Sequence, residues 1–256
     1  MGLNTSLLQL YLELKGYPEF IVDSDIDIDT PNRGPHRLIT ATIPASHASN
    51  ESIQEALDKT PLLLDLKKIE GIDDVSRTRR GNALIFSGQT GSEKTTRSLL
   101  SAIVHTAKLT LNKEQETPST TMHAIGRTNA LLLQADFLTK GFKATHFSYP
   151  FEYEGSTTAP FISATFDDET FNTDTLTNPE RIGAKIELTS LESYGIEIKA
   201  RDYGLALRGN VTSPEVTNGL ISRLSTINDL TAAADNNASN IVNTGYNKTT
   251  YLSCVN

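Results

Sequence analysis

The sequence predicts an α+β protein built from one internally duplicated unit, in which a strand, a helix, further strands and a second helix follow one another. Two observations predict it. Residues 83–109 (ALIFSGQTGSEKTTRSLLSAIVHTAKL) align without a gap with residues 204–230 (GLALRGNVTSPEVTNGLISRLSTINDL). Upstream, Leu38–Pro44 (LITATIP) matches Phe161–Asp167 (FISATFD), with two residues of slippage. A repeat constrains the architecture because each copy is one supersecondary unit.

Residues 1–36 contain an N-terminal helix and an acidic segment. Leucines recur at helical spacing over 3–16, and Gly16-Tyr17-Pro18 ends the run. From Asp23 to Asp29 every second residue is an aspartate, which predicts a solvated acidic edge strand, with a loop as the alternative.

The first repeat spans residues 37–110. Its helix after the Gly/Thr/Ser turn has an apolar face of 3.6-residue period. The predicted elements are a strand at Leu38–Ala45, a helix at Glu51–Lys59, strands at Leu62–Ile69, Asp74–Arg79 and Ala83–Ser87, and a helix at 92–109.

The second repeat spans residues 161–231, after a connector at 111–160 that contains a helix near 124–140. In its last helix Ser213 is the predicted N-cap, Pro214 the first helical residue and Glu215 a first-turn carboxylate. Residues 232–256 are polar and predict a flexible tail. The predicted strands are Phe161–Phe166, Gly183–Thr189, Tyr194–Ala200 and Gly204–Arg208.

Composition narrows the classes of function. The 256 residues have a formal net charge of −8, which argues against indiscriminate binding to polyanions but allows a local basic patch. The single cysteine, Cys254, favours a reducing compartment. No apolar stretch is long enough to span a bilayer. We therefore expect a soluble intracellular protein, cytoplasmic or nuclear, with no membrane partner.

One segment resembles the phosphate-binding loop of nucleotide-hydrolysing ATPases. Gly88 to Thr96 (GQTGSEKTT) follows a strand and precedes a helix, which would place Gly88, Lys94 and Thr95 at a nucleotide. Glu93, however, stands where that motif has its second glycine, and the equivalent loop from Gly209 has no lysine. A capped strand-to-helix turn is the simpler interpretation, and a degenerate nucleotide-binding domain is the alternative.

The sequence contains no pattern that demands an enzyme. Its five histidines lack the short spacing of metal ligands, and no G-x-S-x-G nucleophile motif is present. We expect no catalytic residues, no metal site and no cofactor.

Basic residues cluster in two equivalent hairpins of this acidic chain. The first has Arg77, Arg79 and Arg80, and the second has Lys199, Arg201 and Arg208. Together they could form a surface that contacts phosphates, the alternative being ordinary solvated charge.

The order of the repeats resembles the half-domains of the TATA-box-binding protein family. Residues 39–43 (ITATI) are similar to the family's first-strand pattern, and residues 202–210 (DYGLALRGN) are similar to its last hairpin. The resemblance covers about residues 38–109 and 161–230. It implies one curved antiparallel sheet with helices on its convex side, and a concave face that binds the DNA minor groove. The family's minor-groove asparagines correspond here to Leu38 and Phe161.

Three hypotheses follow from the sequence. The first is a divergent, non-enzymatic, TATA-binding-like factor that binds duplex DNA and transcription proteins. The second is a structural or assembly protein that uses the sheet for protein contacts, with a second copy of the chain as one candidate partner. The third is the degenerate nucleotide-binding domain. The residues expected at DNA are Thr40, Arg77, Arg79, Ile85, Ser87, Ser163, Lys199, Arg201 and Arg208, with Ala206 placed beside them by the resemblance.

Overall fold

The computed structural model describes residues 2–30, 34–44, 61–77, 83–113, 118–139, 145–149, 161–166, 191–201 and 204–237. Within these ranges the helices are α1 (Leu3–Leu14), α2 (Pro61–Leu66), α3 (Glu93–Lys113), α4 (Pro118–Thr139) and α5 (Pro214–Asn237). The strands are β1 (Ile21–Thr30), β2 (Gly34–Thr42), β3 (Ile72–Arg77), β4 (Ala83–Gly88), β5 (Thr145–Ser148), β6 (Phe161–Phe166), β7 (Ile196–Arg201) and β8 (Gly204–Gly209).

The described strands form two antiparallel sheets of four strands each. Sheet 1 has the order β1-β2-β4-β3 and sheet 2 the order β5-β6-β8-β7. The chain divides into two compact units, Met1–Ile103 with Asn228–Asn256, and Val104–Ile227. The predicted α+β class is confirmed. The described strands form two sheets, however, where the resemblance implies one.

One predicted strand is wrong. The segment 62–69 begins with the helix α2, because its apolar residues follow the helical period and not the strand period. Leu62 and Leu66 are four residues apart and both buried, whereas Leu64 between them is 53% exposed. Pro61 is the first helical residue, where its missing N–H has no cost.

Most other elements lie where the sequence places them. The acidic alternation forms β1, an edge strand, and Ser213 accepts hydrogen bonds from the N–H groups of Glu215 and Val216 as an N-cap. Two helices end later than predicted. α3 continues to Lys113, and α5 continues to Asn237, past the predicted start of the tail. The predicted helix at 51–59 and strand at 183–189 lie outside the described residues.

The core of the first unit lies on one face of sheet 1. Along β2 and β4 every second residue is buried, as strand alternation requires. Each buried leucine or phenylalanine stabilises the fold by about 1.5–3 kcal/mol. The fully buried residues on this face include Ile39, Ala41, Leu84 and Phe86, together with Leu7, Leu8 and Leu12 of α1.

The core of the second unit repeats this arrangement on sheet 2. Phe137 of α4 packs against Phe147 of β5, with ring centroids 5.1 Å apart. Arg223 of α5 donates to the buried carboxylate of Asp136 at 2.7 Å, which ties α5 to α4. The buried strand residues are Ile162, Ala164, Leu205 and Leu207.

The two sheets agree in register as well as in order. Ala41 pairs with Val22 on one side and Leu84 on the other. Ala164 pairs in the same way with Phe147 and Leu205. Ala41 and Ala164, like Leu84 and Leu205, are positions that the sequence alignment equates. The hairpins β3–β4 and β7–β8 also begin alike, with Ile72 opposite Gly88 and Ile196 opposite Gly209.

A helical glycine of α5 lies directly beneath an aromatic ring. A Cβ atom at Gly219 would be 2.5 Å from Cζ of Tyr194, which is a steric clash. Replacing glycine by alanine in an open helix stabilises it by about 1 kcal/mol. We expect Gly219→Ala to lower the free energy of unfolding instead, by about 1–3 kcal/mol, because the ring must move. Urea unfolding measures this change.

The control for Gly219→Ala is the same substitution in a Tyr194→Ala background, where the ring is absent and alanine should be neutral or stabilising. Equal effects in both backgrounds would contradict the clash.

An ion-pair cluster connects the end of α1 to α2. The carboxylate of Asp65 accepts hydrogen bonds from Lys15 at 2.8 Å and from Lys68 at 3.1 Å. The hydrogen bond from Lys15, and then that from Lys68, lowers the pKa of Asp65 against the opposing effect of desolvation. The pKa of Tyr11 is raised by burial and by the nearby Asp65 charge.

Because the pKa of Asp65 is lower in the folded state, its contribution to stability is present above the unfolded pKa of about 3.9 and is lost as pH falls through the folded value. We expect Asp65→Asn to remove this part of the pH dependence. The change should be below about 1 kcal/mol, since the 32% exposed side chain is screened by solvent. Free energies of unfolding measured from about pH 2 to about pH 6, a range of about two units on either side of 3.9, test this expectation. An unchanged profile would contradict it.

Candidate binding surfaces of the two sheets

The outer face of sheet 1 is the face opposite its core. Thr40 and Ile85 are cross-strand partners in its centre, and both are partly exposed, as is Ser87. On either side of this centre lie exposed carboxylates. Asp23 of β1 pairs with Thr40, and Asp74 of β3 pairs with Ser87. This face therefore combines a partly apolar centre with acidic margins.

An exposed isoleucine adds to the apolar character of the same face. Ile21 of β1 is 52% exposed, and its cross-strand partner is the exposed Thr42. Of the two arginines predicted here, Arg77 is exposed at the end of β3 but pairs with Leu84, a residue of the core register. Arg79 lies outside the described residues.

The register of sheet 2 places three cations on its outer face. Arg208 of β8 is exposed, and its guanidinium carbon lies 5.9 Å from the centroid of the Phe161 ring. Lys199 pairs with Ala206, and Arg201 pairs with Gly204, so both occupy register positions next to β8. One exposed carboxylate, Glu197, is the other cross-strand partner of Arg208. Ser163, partly exposed, pairs with Ala206 on β6.

Sheet 2 is not open over its whole outer face. Ala206, which shares a register row with Ser163 and Lys199, is only 1% exposed. A groove-binding surface needs access to the centre of the sheet. The accessible residues of this face lie at its two ends, Thr165 at one end and Phe161 with Arg208 at the other.

The loop between β4 and α3 is held by side chains of its own unit. Asn4 of α1 donates from its amide to the carbonyl oxygens of Thr90, at 2.8 Å, and Ser92, at 3.1 Å. The Thr96 hydroxyl in turn donates to the Asn4 side-chain oxygen at 2.6 Å. We call these three hydrogen bonds the asparagine clamp. Asn4 and Thr96 are both buried.

Further hydrogen bonds in this loop occupy the N–H and hydroxyl groups that a bound phosphate would need. The Ser92 N–H donates to the carbonyl of Gln89, and the Thr95 hydroxyl donates to the same carbonyl at 3.1 Å. The cavity beside the loop is about 10 Å³, the room of a single water molecule. Lys94 extends outward to Glu70 at 3.6 Å. The arrangement at Gly88, Lys94 and Thr95 is that of a capped turn.

The loop between β8 and α5 is held in the same manner. Asn129 of α4 donates to the carbonyl oxygens of Val211, at 2.9 Å, and Ser213, at 3.5 Å. Thr217, at the position aligned with Thr96, donates instead to the Ser213 carbonyl at 3.4 Å. The Asn129 side-chain oxygen accepts no hydrogen bond from the described residues. The clamp of the second unit is therefore weaker.

A second pair of equivalent contacts lies at the edge strands. The Val22 N–H of β1 donates to the side-chain oxygen of Gln9 at 2.9 Å, and the Gln9 amide donates to the Phe20 carbonyl at 2.7 Å. In the second unit the Phe147 N–H donates to Gln134 at 3.3 Å. Each glutamine thus satisfies backbone groups at the start of an edge strand.

Sequence reasoning missed these four amides, although a signal for them exists. Residues 4–17 (NTSLLQLYLELKGY) and 129–142 (NALLLQADFLTKGF) share an asparagine, a Leu-Leu-Gln run and a closing Lys-Gly-aromatic triplet at identical spacing. The second copy falls inside the segment interpreted as a connector, whereas α4 and β5 in fact belong with sheet 2.

The two clamps provide an internally controlled prediction. We expect Asn4→Ala to lower the free energy of unfolding by about 2–3 kcal/mol, since the buried Thr90 carbonyl and the Thr96 hydroxyl lose their partner and the Ser92 carbonyl loses one of its donors. Asn129→Ala should cost less, because it has fewer and longer hydrogen bonds. Urea or thermal unfolding of both variants measures the difference. Ser6→Ala on the same helix is the control, and equal losses at Asn4 and Asn129 would contradict the assignment.

The described residues contain no group of three or more His, Cys, Asp and Glu side chains arranged to hold a metal ion. Among the described helices, none combines the length and apolar character needed to cross a membrane. Comparison of the chain with protein-family models, with curated proteins and with solved structures finds no match.

Proposed function

We propose that the chain is a non-enzymatic assembly protein, made of two copies of one α+β unit, that binds protein partners through its sheets. One observation above all supports this proposal. The two sheets agree in strand order and register, yet the outer face of sheet 1 has the exposed carboxylates Asp23 and Asp74, whereas the register places Lys199, Arg201 and Arg208 on the outer face of sheet 2. A shared scaffold with different exposed residues is what two distinct binding surfaces require.

The duplication itself rests on three kinds of agreement. The strand pairings correspond at positions that the sequence alignment equates, such as Ala41 and Ala164. The amides of Asn4 and Asn129 hold equivalent loops. The glutamines Gln9 and Gln134 occupy equivalent edges. Agreement in order, register and side-chain contacts favours one repeated unit over two unrelated ones.

A protein partner fits sheet 1 better than DNA does. Duplex DNA requires cations along its phosphate backbone, and its affinity depends on how many phosphates are neutralised. On sheet 1 the predicted contact residues Thr40 and Ser87 lie beside the exposed carboxylates of Asp23 and Asp74. A partly apolar centre with charged margins is the usual composition of a protein interface.

Duplex DNA is the second candidate, and it concerns sheet 2 alone. Arg208 stacked on Phe161, with Lys199 and Arg201 at neighbouring register positions, is the combination of cation and aromatic ring that nucleic-acid surfaces use. Binding through one sheet would differ from the two-sided minor-groove contact that the family resemblance implies.

The proposal predicts association without nucleic acid. We expect light scattering coupled to size-exclusion chromatography to show a defined species heavier than the 27.9 kDa chain in nuclease-treated protein. Charged margins predict that salt weakens this species. Fluorescence anisotropy with a labelled duplex at low salt is the parallel measurement.

A single 27.9 kDa species at every concentration, together with duplex binding that Arg208→Glu abolishes, would contradict assembly and favour DNA. Lys67→Glu, which removes an exposed cation outside both sheets, is the matched control for that loss.

A further inference from the structure

The hairpin β1–β2 extends beyond the rest of sheet 1. β2 pairs with β4 only over Ile39–Thr42, while β1 and β2 remain paired to the end at Thr30 and Gly34. We call the segment Asp25–Thr30, with its β2 partners Gly34–Leu38, the acidic arm. Its base is joined to the rest of the unit by a bridge between Arg37 and Gln89, and β1 is the outermost described strand of the sheet.

An outermost strand presents unpaired backbone N–H and C=O groups, which makes it a template for another strand. On β1 the amide of Gln9 occupies this edge at Phe20 and Val22. The two hydrogen bonds of Gln9 lie at Phe20 and Val22, before the arm begins at Asp25. The arm contains Asp25, Asp27 and Asp29.

The charges of the arm select its partner. Two copies of β1 paired with each other would place aspartates against aspartates, which is destabilising in a sheet. A complementary strand needs cations two residues apart. Such a strand exists in this chain: β7 contains Lys199 and Arg201 at that spacing, and it is the outermost described strand of sheet 2.

We propose that the acidic arm of one copy of this chain pairs with β7 of a second copy and joins the two sheets edge to edge. In antiparallel register Arg201 lies opposite Asp27 and Lys199 opposite Asp29. Glu197 then falls opposite position 31, beyond the end of β1 at Thr30. Like-charge contact is thereby avoided.

The register on β1 is compatible with this pairing. The strand has a bulge between Asp25 and Asp27, after which Asp27 and Asp29 occupy the same face, opposite Arg37 and Pro35 of β2. Lys199 and Arg201 likewise share one face of β7, opposite Ala206 and Gly204. Two pairs of opposite charge therefore form together. The contact joins two different edges, so it continues from copy to copy into a ring or filament.

This inference rests on the proposed assembly function and names its partner and its strands. The experiment uses two charge-reversed full-length variants, Asp27→Lys with Asp29→Lys, and Lys199→Glu with Arg201→Glu. We expect each alone to weaken association by about tenfold or more, because like charges then face each other. We expect an equimolar mixture of the two to regain it, since the reversed arm of one fits the reversed β7 of the other. Light scattering measures both.

Matched controls carry the same charge changes at exposed positions of neither strand. They are Glu70→Lys with Glu192→Lys, and Lys67→Glu with Lys94→Glu. Both should associate as the unmodified chain does. Recovery in the mixture cannot arise from misfolded variants, which keeps the test decisive if one variant is less stable.

The remaining outcomes overturn the pairing in different ways. If the unmodified chain associates and both reversed variants associate equally well, the strand pairing is wrong and the assembly function stands. If the unmodified chain remains a monomer, both are wrong. If reversal on β7 abolishes duplex binding while reversal on the arm leaves all association unchanged, the cations of β7 bind a polyanion.

Discussion

A buried asparagine, Asn4 in the first unit and Asn129 in the second, holds the loop between the sheet and the helix that follows it. Asn4 reaches from the first turn of α1 to two carbonyls of the loop that starts α3, and Thr96 of α3 completes the contact. Buried carbonyls without partners destabilise a fold by amounts comparable to a large share of a domain's net stability. The position of α1 therefore depends on this contact. Through Gln9 on the same helix, the edge of β1 depends on it as well.

The alternation of strand residues separates the core of each unit from the outer face of its sheet. In sheets 1 and 2 the inward positions are aliphatic or aromatic and correspond closely, as Ile39 and Ile162 do. Some outward positions do not correspond, since Ser87 of one sheet is replaced by Arg208 in the other. Because the two sets of positions point to opposite faces, the surface charge can differ between units while the register stays the same.

The edges show how much of the sheet is available to a partner. An exposed edge strand invites uncontrolled pairing, and proteins limit this with side chains that cover or charge the edge. Gln9 and Gln134 cover part of the edges of β1 and β5, and the aspartates of β1 give its edge a negative charge. An edge that excludes its own copy by charge still accepts a strand of opposite charge. In the proposed assembly, the aspartates of β1 both protect the edge against aggregation and select its partner.

Much of the fold could be predicted because it depends on local patterns. The N-caps at Ser92 and Ser213, the helical faces of α1 and α3, and the alternating strands β2 and β4 all follow from residues within one turn or one strand. The Leu62–Leu66 segment could not be assigned from its composition. A short apolar run satisfies both periods, and the exposure of Leu64 decides between them only once the chain is folded.

The candidate surfaces were predictable only in part. The basic residues Lys199, Arg201 and Arg208 are evident in the sequence, and they do lie at neighbouring register positions of two paired strands. The acidic neighbours of Thr40 and Ser87 are not evident, since Asp23 and Asp74 are distant along the chain and meet them only through strand pairing. The same holds for the loop at Gly88, whose Thr90 carbonyl is bound by Asn4, more than eighty residues away along the chain.

By itself the sequence determined the α+β class and the approximate positions of most described helices and strands, because propensity, capping and periodicity act over a few residues. Only the tertiary structure decided that the described strands form two sheets, that asparagines hold the loops and that carboxylates lie beside Thr40 and Ser87. Those features depend on hydrogen bonds and register between segments far apart in the chain, for which no local pattern encodes the partner.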